Sequence, residues 1–443
     1  MSRQQPPRRR SQRLWIANLD VEESWAAASP DGRPPEPDAT LPQRRPSTPA
    51  LALRRRMSLF GAALRVAAAE GDWLWTPEPL LAEDLPARGL PASEKERLWP
   101  SLRLLHGPLP SAIPPEILRQ VDEVRCWGES PQVEVLRRRW RKLEKSPGET
   151  VSEASRRTAT AAARVNHRSW ALDLSQSLGM ALPRVARVHK PGDLAEALRG
   201  SSLASPSGRW VIKAPWSAAG RHRLLGGEAE NGKSEAEHED SARSLLRRWG
   251  ELIVEPWMER SDDFGALAEV GPSGGLQSLS FHRQSIGPKG AFHGLEIVAG
   301  EREGEAVGLR PGEEQDLRRA MEATAEALAA EGYAGPFGID AWRYRGATAD
   351  SGNKHQGECF HPLGEINARW SFGRVLRAAE ERLLAAGTLR CGERLALRLG
   401  QGRADPQPAS PPRRVLPVVL GRRAETRVPQ TAEPAPWVEL EID

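Results

Sequence analysis

Asp340 sits in the apolar run Gly338-Ile339-Asp340-Ala341-Trp342, and Glu365, Asn367 and Arg369 alternate within His361-Pro362-Leu363-Gly364-Glu365-Ile366-Asn367-Ala368-Arg369. Residues two apart on a strand project from one face. Glu365, Asn367 and Arg369 therefore form a row, which Asp340 can join from a neighbouring antiparallel strand. Two carboxylates and an amide oxygen on one face suit a hard cation such as Mg²⁺, which is usually shared with substrate phosphates. The bidentate fork of Arg369 suits a phosphate or a carboxylate. The alternative for the same residues is the polar, solvated face of an antiparallel sheet.

Two upstream segments favour the first reading. Trp210-Val211-Ile212-Lys213-Ala214-Pro215 places a lysine within an apolar strand, in a chain whose basic charge is carried mostly by arginine. Such a lysine is a point charge for phosphate oxygens, or a stem that snorkels to solvent. The small residues of Trp216-Ser217-Ala218-Ala219-Gly220-Arg221, then Gly226-Gly227, can bring backbone N–H groups close to a phosphate chain. Further on, Leu252-Ile253-Val254 ends at Glu255-Pro256-Trp257-Met258, and Pro256 cannot continue a central strand. A linker of this kind offers backbone polar groups to a purine edge and apolar walls from Trp257 and Met258. Asp262 or Asp263 could then accept from ribose hydroxyls. The alternative is an ordinary strand end beside a packed tryptophan.

Taken in order, the lysine strand, glycine loop, Glu-Pro-Trp-Met linker, aspartate strand and Glu-x-Asn-x-Arg resemble the ATP-grasp superfamily of carboxylate–amine and carboxylate–thiol ligases, over about residues 160–400. The resemblance implies an α/β (α+β) chain with two α+β subdomains gripping ATP, preceded by a small α/β domain. It implies that Lys213 contacts the α/β-phosphates and that Ser217 to Arg221, with Ser217 and Gly220 the named contacts, fold over them. Glu255, Trp257 and Met258 would hold adenine, and Asp262 or Asp263 the ribose. Asp340, Glu365 and Asn367 would hold Mg²⁺ (or Mn²⁺), with Arg369 at the transferring phosphate. The activity implied is an ATP-dependent ligation that activates a carboxylate as an acyl phosphate for attack by an amine or thiol, releasing ADP and phosphate. Departures exist. The basic residue that many relatives carry before the lysine strand is matched only by the candidates Arg168 and Lys190, and Gly338 stands where some members have arginine. Residues 345–357 extend the hairpin between the metal strands.

The scaffold around these residues begins with a strand at 14–19, with further strands at 73–75 and 124–128 and helices at 114–122 and 132–145. Alternating strands and helices suggest a small α/β domain over 14–160, with a Pro/Arg-rich excursion at 28–56 and a basic arm at 1–13. Residues 161–401 form the nucleotide-binding unit. It opens with a helix over 163–178 and a strand over 185–188, has an acidic solvated loop at 228–240, and has helices at 313–330 and 376–386. Residues 402–443 read as a Pro/Arg-rich mobile strap. Phe281-His282-Arg283-Gln284 alternates, so one of His282 and Arg283 faces the cleft; Arg283 is the preferred anchor for a substrate carboxylate, with His282 and His293 as lesser candidates.

The 63 basic and 59 acidic residues give a formal charge of +4, and the excess clusters in the arginine-rich stretches before residue 57. Such Pro/Ser-flanked stretches read as solvated rather than as nucleic-acid-binding arms. The 15 tryptophans sit singly beside apolar runs rather than among the basic ones, and nucleic acid is not expected as a partner. Three irregularly spaced cysteines (Cys126, Cys359, Cys391) supply neither a metal knot nor a disulfide framework. No apolar run is long enough for a membrane span, and the start lacks a signal peptide's apolar stretch. A cytoplasmic enzyme is expected, acting on small-molecule or peptide carboxylates and amines, with a homodimer open. The competing expectation is an ATP-binding protein or phosphotransferase without ligase turnover.

Overall fold

The structure, a computed structural model of the 443-residue chain, describes residues 12–29, 33, 35–36, 51–81, 84–85, 98–143, 153–216, 222–227, 235–271, 273–287, 290–346, 357–401, 414–420 and 436–443. The chain begins with β1 (Arg13–Ile16), α1 (Val21–Ala28), α2 (Leu51–Gly61), β2 (Trp73–Thr76), β3 (Arg103–His106), α3 (Pro115–Leu118), β4 (Glu123–Cys126) and α4 (Pro131–Leu143). The four strands form a parallel sheet in the order β3-β2-β1-β4. Parallel sheets are covered on both faces, and β1 obeys this. Leu14 and Ile16 enter one apolar cluster, with α4, while Trp15 enters another. Trp15 meets Trp370 edge-on at 5.4 Å, which ties this domain to the unit that follows.

The next unit holds α5 (Glu153–Val165), α6 (Arg168–Ser177), β5 (Ala186–Val188), α7 (Leu194–Ala204), β6 (Trp210–Lys213), β7 (Arg223–Gly226), α8 (Glu235–Trp249) and β8 (Leu252–Pro256). Its antiparallel sheet runs β5-β8-β6-β7, with its own core of Val188, Leu194, Trp210, Ile212, Leu246 and Val254. The last unit holds β9 (Arg260–Val270), β10 (Leu276–Ile286), β11 (Phe292–Val298), α9 (Pro311–Ala330), β12 (Gly335–Arg345), β13 (Glu358–Asn367), α10 (Phe372–Ala385), β14 (Arg394–Gln401), β15 (Arg414–Leu420) and β16 (Pro436–Ile442). One eight-stranded sheet runs β13-β12-β9-β10-β11-β14-β16-β15. Pro311 opens α9 at its first turn, where a missing N–H costs nothing, and the Glu313 carboxylate accepts from the Arg310 N–H at 2.9 Å. Leu317, Met321, Thr324 and Leu328 then form the buried stripe of α9.

The expected mixed α/β architecture, a small domain followed by two α+β subdomains, is the one observed. Several local expectations change. The helix expected over 163–178 is two helices, broken at Asn166-His167, where the His167 ring caps the second by accepting from Ser169 N–H at 3.2 Å. Residues 51–56 belong to α2 rather than to an excursion, and residues 235–240 open α8 rather than lying in a loop. Residues 402–443 are not a mobile strap throughout. β15 and β16 close one end of the large sheet, with Val438, Leu440 and Ile442 buried against Leu397 and Leu416, since alternating apolar residues there have a sheet to complete. The basic arm at 1–11 and the hairpin tip at 347–356 lie outside the described residues. Among the described residues no helix is long and apolar enough to cross a membrane.

Candidate active site

β12 and β13 pair antiparallel with Asp340 opposite Glu365 and Gly338 opposite Asn367. Directly opposed side chains lie about 5 Å apart, so the two carboxylates and the amide converge as the spacing required. A bulge between Asp340 and Trp342 turns the strand just beyond them. Glycine is needed at 364, because any Cβ there would fall 1.7 Å from the Trp342 ring. The Asp340 carboxylate accepts from Gln284 Nε2 at 2.7 Å and from Asn367 Nδ2 at 3.3 Å. Burial, and then the neighbouring Glu365 charge, push its pKa up to about 6. Glu365 moves the other way. Burial works against its charge, but Arg168, with Nη1 at 3.1 Å, and then Lys213 hold it ionised.

The opposite wall comes from the small sheet. Lys213 on β6 and Glu255 on β8 share a face, and Lys213 Nζ lies 2.5 Å from Glu255 Oε2. Burial weakens the lysine's hold on its proton, and Glu255 restores part of it. Arg168, at the start of α6, donates Nε–H to the Ala214 carbonyl at 3.1 Å, which fixes its guanidinium between the two sheets. Burial acts against its charge as well, but Glu365 and Glu255 raise its pKa. Beyond Glu255, Met258 packs with Leu182 and Trp342, and Arg260 lies 3.7 Å over the Trp342 ring. The cavity between the walls measures about 1540 Å³ and is lined by Arg168, Lys213, Met258, Asp340, Glu365 and Asn367 among others. Ligand pockets usually measure about 300–1,000 Å³, so this one has room for a nucleotide and a second substrate.

Several expected site residues fall elsewhere. Register explains why: Asp340 pairs with Gly265 and Gly265 with His282, so His282 and Gln284 share the cleft face. Arg283 and Asp262 lie on the other face. There Arg283 pairs with Asp262, whose second oxygen meets Arg343 at 2.6 Å, and Arg343 joins Glu313 of α9. Neither Arg283 as a carboxylate anchor nor Asp262 as a ribose ligand is compatible with that placement. Asp263 shares the cleft face, but its carboxylate is taken by Arg260 at 2.9 Å and does not reach the cavity wall. Trp257 offers its ring only, since its N–H donates to the Arg209 carbonyl at 2.9 Å and its carbonyl accepts from Ser205 at 2.7 Å. Ser217 and Gly220, with the rest of the loop to Arg221, lie outside the described residues.

Arg369 lines the cavity, and its Nε lies 2.9 Å from the buried Glu22 Oε1 of α1, Arg369 itself being half-buried. Glu22 and Gln284 escaped the sequence reading, as did Arg260. The parity of β10 would have found Gln284 once its neighbour's register was known, whereas no local signal marks Glu22. Among the described residues no three of His, Cys, Asp and Glu gather as a metal cluster. The donor set is two carboxylates and an amide. It nevertheless fits a hard cation, because Asp340 and Glu365 are opposed like charges, one of them held partly protonated, and a divalent ion between them removes that conflict.

No protein-family model and no curated protein matches the chain. Among solved structures it is similar to N5-carboxyaminoimidazole ribonucleotide synthetase of Thermus thermophilus, at 15% identity over 88% of this chain and 90% of that one, with a TM-score of 0.46. It is also similar to biotin carboxylase of Campylobacter jejuni (12%, 96% and 86%, TM-score 0.45) and to L-amino acid ligase of Bacillus licheniformis (13%, 98% and 94%, TM-score 0.44). These are ATP-grasp enzymes. At such identities and TM-scores the likeness concerns the course of the chain, and no residue role or substrate is taken from it.

Proposed function

We propose that the chain is an ATP-dependent carboxylate–amine (or thiol) ligase of the ATP-grasp type, forming ADP. The observation that supports this most is the meeting of Lys213 and Arg168 with Asp340, Glu365 and Asn367 in one two-walled cavity. Two fixed cations facing two carboxylates and an amide suit a polyphosphate with divalent cations, and phosphoryl transfer depends on such positioning and charge neutralisation more than on covalent help. The adenine end would lie against Met258, Leu182 and the Trp257 ring. Lys213, released from Glu255, would meet the inner phosphates. Mg²⁺, held by Asp340, Glu365 and Asn367, would supply neutralisation of phosphate charge.

Arg168 keeps Glu365 ionised and oriented, and Gln284 keeps an Asp340 oxygen facing the cavity. Arg369, braced by Glu22, would take the carboxylate being activated, placing it for attack on the γ-phosphorus. An amine or thiol then displaces phosphate from the acyl phosphate. Water must be kept from the acyl phosphate, which it would hydrolyse. The enzyme so described acts on small-molecule or peptide carboxylates and amines.

Incubation of the full chain with Mg-ATP and pooled carboxylates and amino acids, with products read by mass spectrometry, tests this. ADP and phosphate released only with a substrate pool, and abolished by Glu365→Ala and Asn367→Ala in folded protein, are expected. Unchanged turnover in either variant sinks the metal assignment. Release of AMP, or no nucleotide binding, overturns the proposal.

A further inference from the structure

A second cavity, about 1620 Å³, runs between the edge of the N-terminal sheet at β4 and the outer face of α10, and nine arginines against four glutamates line it. Arg374 and Arg377, one turn apart on α10, form its floor, with side chains only 17% and 11% exposed. Each guanidinium is already fixed. Arg374 donates to the Ala268 carbonyl and pairs with Glu269 at 3.6 Å, while Arg377 donates to the Phe281 carbonyl at 2.9 Å and to Glu380 at 3.0 Å. Glu380 does not neutralise Arg377 alone, because it also accepts from Arg302 and from the Gly300 N–H. The Nε–H groups of Arg374 and Arg377 are buried and meet no acceptor among the described residues. Desolvated cations are costly unless opposite charge lies close by, and an anion in the groove would supply it to the guanidinium faces that line the cavity. Across the groove Arg125 and Arg13 share the single carboxylate of Glu123, which adds further uncompensated charge.

We propose that this groove is a binding site for a small polyanion carrying at least two phosphate or carboxylate groups, separate from the nucleotide cleft. One group would sit on the Arg374–Arg377 pair and the other near Arg125. Enclosure between two domains, and the glutamates interspersed among the arginines, fit a compact polyanion of defined charge spacing. Arg369 lines both cavities, so the bound anion would lie one guanidinium away from the cleft. None of this depends on what the cleft binds.

Calorimetric titration of the full chain, freed of metal on a chelating resin, in low-salt buffer, with inorganic pyrophosphate in one arm and citrate in the other, tests the site. Binding of about one equivalent is expected, and the tighter arm identifies the phosphate or the carboxylate as the preferred group. Lys213→Ala, which disables the nucleotide cleft, should leave that affinity unchanged. Arg377→Met should weaken it by at least about tenfold, as for a lost charged hydrogen bond. Arg125→Gln, at a side chain 38% exposed and so safe for folding, should weaken it by about threefold. Should Arg377→Met fail to fold, Arg125→Gln decides alone. The proposal is overturned if the wild-type chain binds neither anion, if binding survives Arg125→Gln unchanged, or if it is lost in Lys213→Ala.

Discussion

Replacing Asp340 by asparagine should make the metal-free protein more stable while removing its activity. Burial and the Glu365 charge raise the Asp340 pKa from 3.8 to about 6. At about 1.36 kcal/mol per pH unit, that gap means the ionised form is disfavoured by about 3 kcal/mol in the folded state. The sign follows from linkage. A carboxyl with a raised folded pKa contributes stability in full below about pH 4 and loses it as pH rises through about 6. Asparagine carries no such charge, so the variant gains at pH 8. Part of the gain is given back, because Gln284 Nε2 and Asn367 Nδ2 both donate to the carboxylate and one amide must turn. A net gain of about 1–3 kcal/mol is expected, shrinking to about a third at pH 4.5. Thermal melts in EDTA at the two pH values measure it, and Mg²⁺ should raise the wild-type midpoint but not the variant's. A variant less stable than wild type at pH 8, or a gain equal at both pH values, would refute the like-charge account.

Lys213→Met should weaken nucleotide binding by at least about tenfold in a direct titration. It should also destabilise by about 1–3 kcal/mol by stranding Glu255, a loss that adding Glu255→Gln recovers without restoring binding. Glu22→Gln leaves Arg369 an acceptor but no counter-charge, so kcat should fall while the KM for nucleotide holds; a KM change alone would place Glu22 outside the reacting end. Burial holds His282 down to about 3 and His361 to about 4. The unfolded chain therefore takes up protons that the folded one lacks, and stability falls as pH drops from about 7 toward 4, by up to about 2.7 kcal/mol per pH unit for the pair. Urea midpoints across that range should show the slope, and His282→Asn with His361→Gln should flatten it.

Strands β12 and β13 were legible because their polar residues are written at period two and their partner lies next in sequence. Glu365 and Asn367 fall on one face by counting, and an antiparallel hairpin brings Asp340 opposite. Lys213 was legible as an anomaly, a lone amine in an apolar strand. What could not be read was register across distant pairings. Phe281-His282-Arg283-Gln284 shows alternation, but which parity faces the cleft is fixed by Gly265 meeting both Asp340 and His282. A slip of one residue exchanges the faces, and Arg283 was assigned to the wrong one. Asp262 fell with it, being drawn to Arg343 on the side of α9. Glu22 reaches Arg369 only through the docking of whole domains, which no local pattern records. The final strands were hidden by the Pro and Arg around them, although Trp437 to Ile442 alternates cleanly once a sheet awaits it.

The position of β16 has a consequence for how the protein is made. This strand follows every other described strand in the chain, yet it lies inside the large sheet, hydrogen-bonded to β14 on one side and β15 on the other. β14 and β15 share no ladder of their own, so each waits on the ribosome with an open edge until residues 436–443 emerge. Synthesis at about 5–20 residues per second makes that wait a matter of seconds for β15 and longer for β14. Open, apolar strand edges are templates for aggregation. The paired strands β12 and β13 are complete well before this seam closes. A chain nicked before Pro436 would thus present the β12–β13 wall beside an unsealed sheet and would lack the stretch of cavity wall that Trp437, Glu439 and Glu441 supply, a species that chaperones and proteases would recognise by its edge.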